Sequence, residues 1–249
     1  MSANIRFLYT FDFDSATITS SSEATNYTDD NVVNDLVGKK WRTTADTAEW
    51  LKFDLGAATN IKEIGLFGHN FTSGATIRIE AHATDLWDAP SYSLAMTYNA
   101  DKMVSFIDQT YRWWRITFAD AANPDTYVEV GRVCAGVYYE ATVNIENAFA
   151  RTRHDPSKKL KTEGQQTYHL KKSKYWTYDF SFRLITRTQQ ESFRTMFDSI
   201  GNTEPVVVSL NPDDYPSADS IYAEMTTPLE EAVQLLEMGD VAMAFEEKL

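Results

Sequence analysis

At 249 residues, 43% hydrophobic and 13% aromatic, the chain is long enough for one large domain or two ordinary ones with packed cores. A net charge of −13 argues against nucleic acid as the main partner, because phosphate binding needs a basic face. The single cysteine, Cys134, excludes a disulfide framework and a cysteine-rich metal cluster. No window reaches the roughly 18 apolar residues of a membrane-spanning helix. The opening MSANIRF lacks a charged start followed by an apolar run, so the expectation is a protein made in the cytoplasm without a secretion signal.

Seven segments alternate apolar and polar residues before residue 140, namely 5–13, 50–54, 61–67, 76–81, 103–107, 113–118 and 127–139. Turn-rich stretches at 43–48, 72–74, 87–91 and 121–125 separate them, and no helical period intervenes. This pattern predicts an antiparallel sandwich. Trp41 and Trp50 are expected as large core anchors, and Gly56 as the tight turn after the strand ending Asp54-Leu55-Gly56. Asp12 and Asp14, two residues apart, would point to the same face of a strand, which predicts solvent or a charged partner beside them. Arg115 alternates outward between Trp114 and Ile116, and Cys134 reads as a small buried apolar residue.

The second half opens on a predicted strand at 141–148, followed by a basic stretch, 151–174, and another strand at 174–185. The period then changes. Phe193, Met196, Phe197 and Ile200 recur at helical spacing, Thr188-Gln189-Gln190-Glu191 reads as a capping box, and Gly201 stands where a helix stops. A strand at 205–210 runs into a turn at 211–214. Over 228–246 the signals conflict, because Thr227-Pro228-Leu229-Glu230 resembles a helix start while 233–245 reads as a hairpin about Met238-Gly239-Asp240. Strands are preferred there. The predicted fold is mainly β, with two antiparallel β-sandwich domains at 1–140 and 141–249, the second carrying one short α-helix at 188–200.

Trp87 and Tyr92 flank Asp88-Ala89-Pro90 in a loop, where aromatics serve either as stacking platforms for a ligand or as pins that tuck the loop onto the sandwich. Tyr111 and Arg112, with Trp113, offer a similar surface. His69 and Asn70 end a strand together, either facing a ligand at the rim or bonding the adjoining loop backbone. Arg151, Arg153, Lys158, Lys159, Lys171 and Lys172 form a candidate assembly surface. Acidic residues dominate from Asp198 onward, so one copy's basic loop can meet another copy's acidic end. No catalytic residues are expected. The four histidines fall into no zinc spacing, and neither a Gly-x-Ser-x-Gly nor a phosphate-cradling glycine loop is present.

Ser20-Ser21-Ser22 with Ala24, Val32-Val33-Asn34-Asp35, Trp41-Arg42-Thr43, Trp50 to Gly56, Ile61, Ile64, Trp114-Arg115-Ile116 and Val130-Gly131-Arg132-Val133 agree in order and spacing over about 120 residues. Over that stretch the chain resembles the discoidin-like, or galactose-binding-like, β-sandwich domains. Leu66-Phe67-Gly68-His69-Asn70 followed by Ala75-Thr76-Ile77-Arg78-Ile79 is similar to the variant of this domain in minor tail proteins of bacteriophages and prophages. The Tyr-Trp-rich strand Tyr175 to Phe180, with the short helix and Pro-led strand after it, is similar to the sandwich domains of phage tail-tip and distal tail proteins.

These resemblances imply a structural component of a phage tail tip or baseplate, built in the host cytoplasm and carried on the virion. It would assemble with itself as a trimeric or hexameric ring and with other tail proteins, its first domain free for host surface glycans. The alternative they leave open is a carbohydrate-binding module outside any virion. No cofactor is expected from the residues themselves. The family implies a calcium ion beneath its binding loops, for which Asp29, Asp30 and Asn31 supply oxygens, although Asn34-Asp35 stands where the family carries an Asp-Gly pair.

Overall fold

The computed structural model describes residues 4–145, 149–233 and 238–249. It is mainly β, with several antiparallel sheets and a single α-helix among the described residues. The chain forms two compact units, Met1–Glu140 with Val207–Ser220, and Ala141–Val206 with Ile221–Leu249.

In the first unit, β1 (Arg6–Leu8) leads into a 3-10 helix, Asp12–Ser15, so the segment 5–13 is not one strand as expected. The chain leaves the strand after Leu8, and Asp14 on the helix reaches Arg132. β2 (Thr17–Ser20) precedes a second 3-10 helix, Asp29–Val33, and the short β3 (Trp41–Arg42). β4 then runs unbroken over Glu49–Phe67, joining the two expected strands at 50–54 and 61–67. The joint is a register shift between Asp54 and Thr59, where Gly56 adopts φ +74° and its N–H bonds Asp54 Oδ1. Gly56 therefore serves a bulge inside one strand, not a turn between two.

β5 (Thr76–His82) and β6 (Tyr92–Ala95) follow, then β7 (Lys102–Ala119), which likewise merges two expected strands. The expected strand at 127–139 is three short ones, β8 (Glu129–Val130), β9 (Arg132–Gly136) and β10 (Tyr139–Glu140). The break at Gly131 is steric. A Cβ there would overlap the Val37 carbonyl oxygen, and one at Gly68 (φ +70°) would strike the Val37 side chain. Two strands thus turn close under the loop that carries Val37.

The main sheet of this unit has the order β2-β4-β7-β5-β6, with β9 also on β4. Alternation sends Leu51, Phe53, Trp114, Ile116, Phe118, Ile77 and Ile79 into one core with Trp41, Phe13 and Val130. Phe13 stacks on Phe53 at 4.2 Å, and Trp41 meets Phe118 at 5.7 Å. Trp41 is fully buried, as expected. Trp50 is not a core anchor. It is half-buried and shares the opposite face with Lys52 and Asp54.

In the second unit, residues 141–145 form no strand and residues 146–148 lie outside the described residues. The first strand is β11 (Ala150–His154). β12 (Lys158–Lys161) and β13 (Thr167–Leu170) pair only with each other, as a two-stranded arm. β14 (Tyr175–Thr186) leads directly into α1 (Arg187–Ile200). The capping box sits two residues earlier than expected, with Thr186 as N-cap accepting from the Gln189 N–H, and Thr188 lies inside the helix.

Phe193, Met196 and Ile200 bury one helix face, Phe193 packing 4.8 Å from Phe182. Gly201, at φ +53°, stops the helix with its N–H on the Phe197 carbonyl. β15 (Val206–Ser209) lies mostly within the segment of the first unit, pairing β1. β16 (Ser220–Met225), β17 (Glu230–Val233) and β18 (Met238–Glu247) complete the second unit, in the order β16-β18-β14-β11 with β17 on β18. Residues 228–246 are therefore strands. The turn is not at Met238-Gly239-Asp240, which begin β18, and the connecting residues 234–237 lie outside the described residues.

Candidate functional site

The outward face of the first unit's main sheet collects side chains of unusual character. Cross-strand register aligns Lys52 with Arg115 and Arg115 with Glu80, and in the next row Asp54 with Trp113 and Trp113 with His82. Trp50 lies two residues from Lys52 on the same strand face. The Lys52 ammonium stands between two indoles, 5.5 Å from the centre of Trp50 and 5.4 Å from that of Trp113. Arg112 reaches across to Asp54 with two bonds of 2.6 and 2.8 Å while lying 5.3 Å from Trp113. Arg115 donates to Glu80 at 2.8 Å and places its guanidinium 4.5 Å over Trp87.

The loop between β5 and β6 lies across this face. Asp85 accepts both from Lys52, at 2.8 Å, and from the Trp87 indole N–H. The hydrogen bond from Lys52 and then that from Trp87 hold the Asp85 carboxyl below the usual carboxylate range, and Arg112 does the same for Asp54. Leu86, in the same loop, has 66% of its surface exposed. Three tryptophans and three ion pairs, Lys52–Asp85, Arg112–Asp54 and Arg115–Glu80, therefore share one face.

The sequence-predicted ligand residues do not all meet there. Trp87 and Arg112 do. Tyr111 lies at the edge, packed edge-on against Trp114 at 6.3 Å. Tyr92 pairs with buried Ala81 and packs against the core, so it faces away from Trp87. His69 and Asn70 are on another loop cluster and bond the adjoining loops. The Asn70 amide donates to Asp125 and to the Tyr127 carbonyl and accepts from the Glu129 N–H, and His69 Nδ1 accepts from the Phe71 N–H. Burial pushes the His69 imidazole down to about 4, so it is neutral at physiological pH.

Beside Asn70, the Arg42 guanidinium fills the gap between Tyr27 and Tyr127, at 4.0 and 4.3 Å, and with Lys40 pairs with Glu129. Asp29, Asp30 and Asn31 are successive residues of a 3-10 helix, which splays their side chains. The Asn31 amide is spent on the Lys40 carbonyl, and Asp29 turns toward Ser20 and Glu23. Among the described residues, no group of three or more His, Cys, Asp or Glu side chains is placed to hold a metal.

Of the predicted assembly residues, Arg151 and Arg153 lie over Trp176, at 4.5 and 5.2 Å, while Lys158, Lys159, Lys171 and Lys172 belong to the arm and its base. Sequence reading missed Trp50 and Trp113 as a pair. Their phase was the available signal: Trp50 alternates with Leu51 and Phe53, and Trp113 with Trp114, so each must oppose the buried series.

No family model matches the chain, and no curated protein sequence matches it. Among solved structures it is similar to the family 32 CBM of NanJ from C. perfringens in complex with galactose, at 13% identity and TM-score 0.42, covering 54% of this chain and 99% of that one. It is similar to the fucose binding module SpX-3 of Streptococcus pneumoniae, at 12% identity and TM-score 0.43, covering 52% and 99%. A chitosan-binding module in complex with chitotriose, from a chitosanase/glucanase of Paenibacillus sp. IK-5, matches at 15% identity and TM-score 0.40, covering 49% and 97%.

Proposed function

We propose that the first unit binds neutral carbohydrate on the outer face of its main sheet. The observation that carries this reading is the set Trp50, Trp87 and Trp113 held half-buried on that face with ion pairs interleaved. Indoles at a wet surface give flat apolar platforms for the C–H faces of a sugar ring. Carboxylates and cations between them accept from and donate to its hydroxyls, the small set of convergent polar groups that fixes a ligand's orientation.

Charge decides the ligand class. Each of Lys52, Arg112 and Arg115 already sits against a carboxylate, so the face is balanced and suits an uncharged, hydroxyl-rich chain better than a polyanion. The tail-component role implied by the sequence resemblance draws on none of these features, so a carbohydrate-binding module outside a virion is the reading adopted.

The test is a screen of the full chain against a broad panel of soluble neutral polysaccharides and glycans, followed by titration calorimetry on any that bind. Trp50→Ala and Trp113→Ala should each weaken binding by roughly tenfold or more, the loss of about 1.4 kcal/mol of stacking. Arg42→Ala, on the other loop cluster, should leave it unchanged. Absence of binding across the panel would refute the reading. So would binding that survives both tryptophan variants but disappears with Arg42→Ala.

A further inference from the structure

The arm of the second unit is built unlike the rest of the protein. Residues opposite each other in a hairpin share a face, so Leu160 with Tyr168, and Leu170 beside them, form an apolar row that ends at Lys158, while Lys159, Lys161 and His169 occupy the reverse side. The apolar row is open: Leu160 is 55% exposed, Tyr168 56% and Leu170 49%. A two-stranded ribbon cannot bury its own apolar face, and one left this open marks a contact surface.

Its charge is equally distinct. Residues 151–174 hold eight Lys and Arg against two acidic residues, a local charge of +6 in a chain whose remainder carries −19. Lys158, Lys159, His169, Lys171, Lys172 and Lys174 surround a cleft of about 590 Å³ at the arm.

The same unit carries the complement. On the outward side of its sheet, Ala150 lies opposite Asp179, Asp179 opposite Ala244, Ser181 opposite Ala242, and Ala242 opposite Glu230. These small residues leave a groove of about 440 Å³ with an apolar floor, and Asp179 and Glu230 flank it about two strand spacings apart, roughly 10 Å. The arm's own residues are exposed throughout, so the groove is not filled by the arm of the same chain.

We infer that the arm of one copy docks in this groove of a second copy. Its apolar row would cover the alanine floor, and Lys158, which shares that face, would lie toward the Asp179 and Glu230 carboxylates. Arm and groove are different surfaces, so the contact is head-to-tail. It propagates into a ring where the rotation closes and into a filament where it does not. The inference stands apart from the carbohydrate reading, which concerns the first unit.

Sedimentation velocity of the full chain over a concentration series, in about 0.05 M and about 0.5 M salt, tests it. The wild type should run at multiples of 28.3 kDa at low salt and dissociate toward monomer at high salt. Lys158→Glu alone, Leu160→Asp alone, and Asp179→Lys with Glu230→Lys should each weaken association by roughly tenfold or more while leaving the far-ultraviolet circular dichroism and melting unchanged. The arm-reversed and groove-reversed proteins, monomeric alone, should associate when mixed. A wild type that stays monomeric at low salt overturns the inference, whether or not the arm then retains heparin. Oligomers indifferent to both reversals, or reversed variants that fail to complement, also overturn it.

Discussion

Arg132 and Asp14 lie 118 residues apart in sequence and meet in a two-pronged pair, Nη1 to Oδ1 at 2.8 Å and Nη2 to Oδ2 at 2.7 Å. The arginine is fully buried on β9, its guanidinium 4.9 Å from the Phe11 ring, while Asp14 keeps 37% of its side chain exposed. Arg132 is thereby tied to the 3-10 helix that breaks the first predicted strand.

Removing the acid leaves the buried cation with the longer Asp35 contact, at 3.7 Å, in place of the two-pronged pair. Asp14→Ala should destabilise the first unit by about 2–4 kcal/mol, near the low end for a buried pair because the aspartate is partly solvated. Chemical denaturation followed by tryptophan fluorescence measures this. Adding Arg132→Met to that variant should recover part of the loss. A further drop in stability would show that Arg132 contributes mainly through packing.

Two buried groups set opposing pH dependences. Burial pushes the Glu63 carboxyl up to about 8, against the pull of the Arg6 charge and the Ser209 hydroxyl, so the folded state holds a proton that the unfolded chain releases near 4.5. Stability therefore falls as pH rises from about 4.5 to 8 on account of Glu63. His69 is pushed down to about 4, so the unfolded chain takes up a proton below 6.5 that the folded state refuses, and stability falls as pH drops from 6.5 to 4. From these two groups together, stability should be broadest between about 4.5 and 6.5. Glu63→Gln should flatten the alkaline limb and raise stability at pH 8, by at most about 5 kcal/mol. Melting temperatures across pH 4–9 check both limbs, and an unchanged alkaline limb in the variant would remove Glu63 as its cause.

Gly131→Ala should be among the costlier single-methyl additions in the first unit, because the new Cβ meets the rigid Val37 carbonyl. A loss of about 1–3 kcal/mol is expected, as for overpacking in a filled core. Gly38→Ala, where a Cβ meets nothing within 4 Å, is the control and should fall within about 0.5 kcal/mol of the parent.

Thr186→Ala should destabilise the second unit by about 1 kcal/mol, the usual cost of losing an N-cap oxygen. Thr188→Ala, at the position the sequence pattern favours, should change stability by less than about 0.5 kcal/mol. Urea denaturation of the two variants separates them. The reverse order would place the cap at Thr188.

Periodicity alone identified the β class, the strands around Leu51, Ile79, Ile116 and Phe180, the helix ending at Gly201, and the burial of Cys134. These follow from local patterns, a two-residue alternation or a 3.6-residue stripe, that each segment carries within itself. The basic character of 151–174 was equally plain.

Partnership was decided by the fold. Trp50, Trp87 and Trp113 share a face only because β4, β7 and the loop after β5 are brought side by side. Tyr92 turned inward because its register with Ala81 put it there. Asp14 found Arg132, Asn70 closed onto the 123–129 loop, and Val207–Ser220 returned to the first unit, all across long separations in sequence. Such pairings depend on strand order and register, and one residue's slip would send every side chain to the other face.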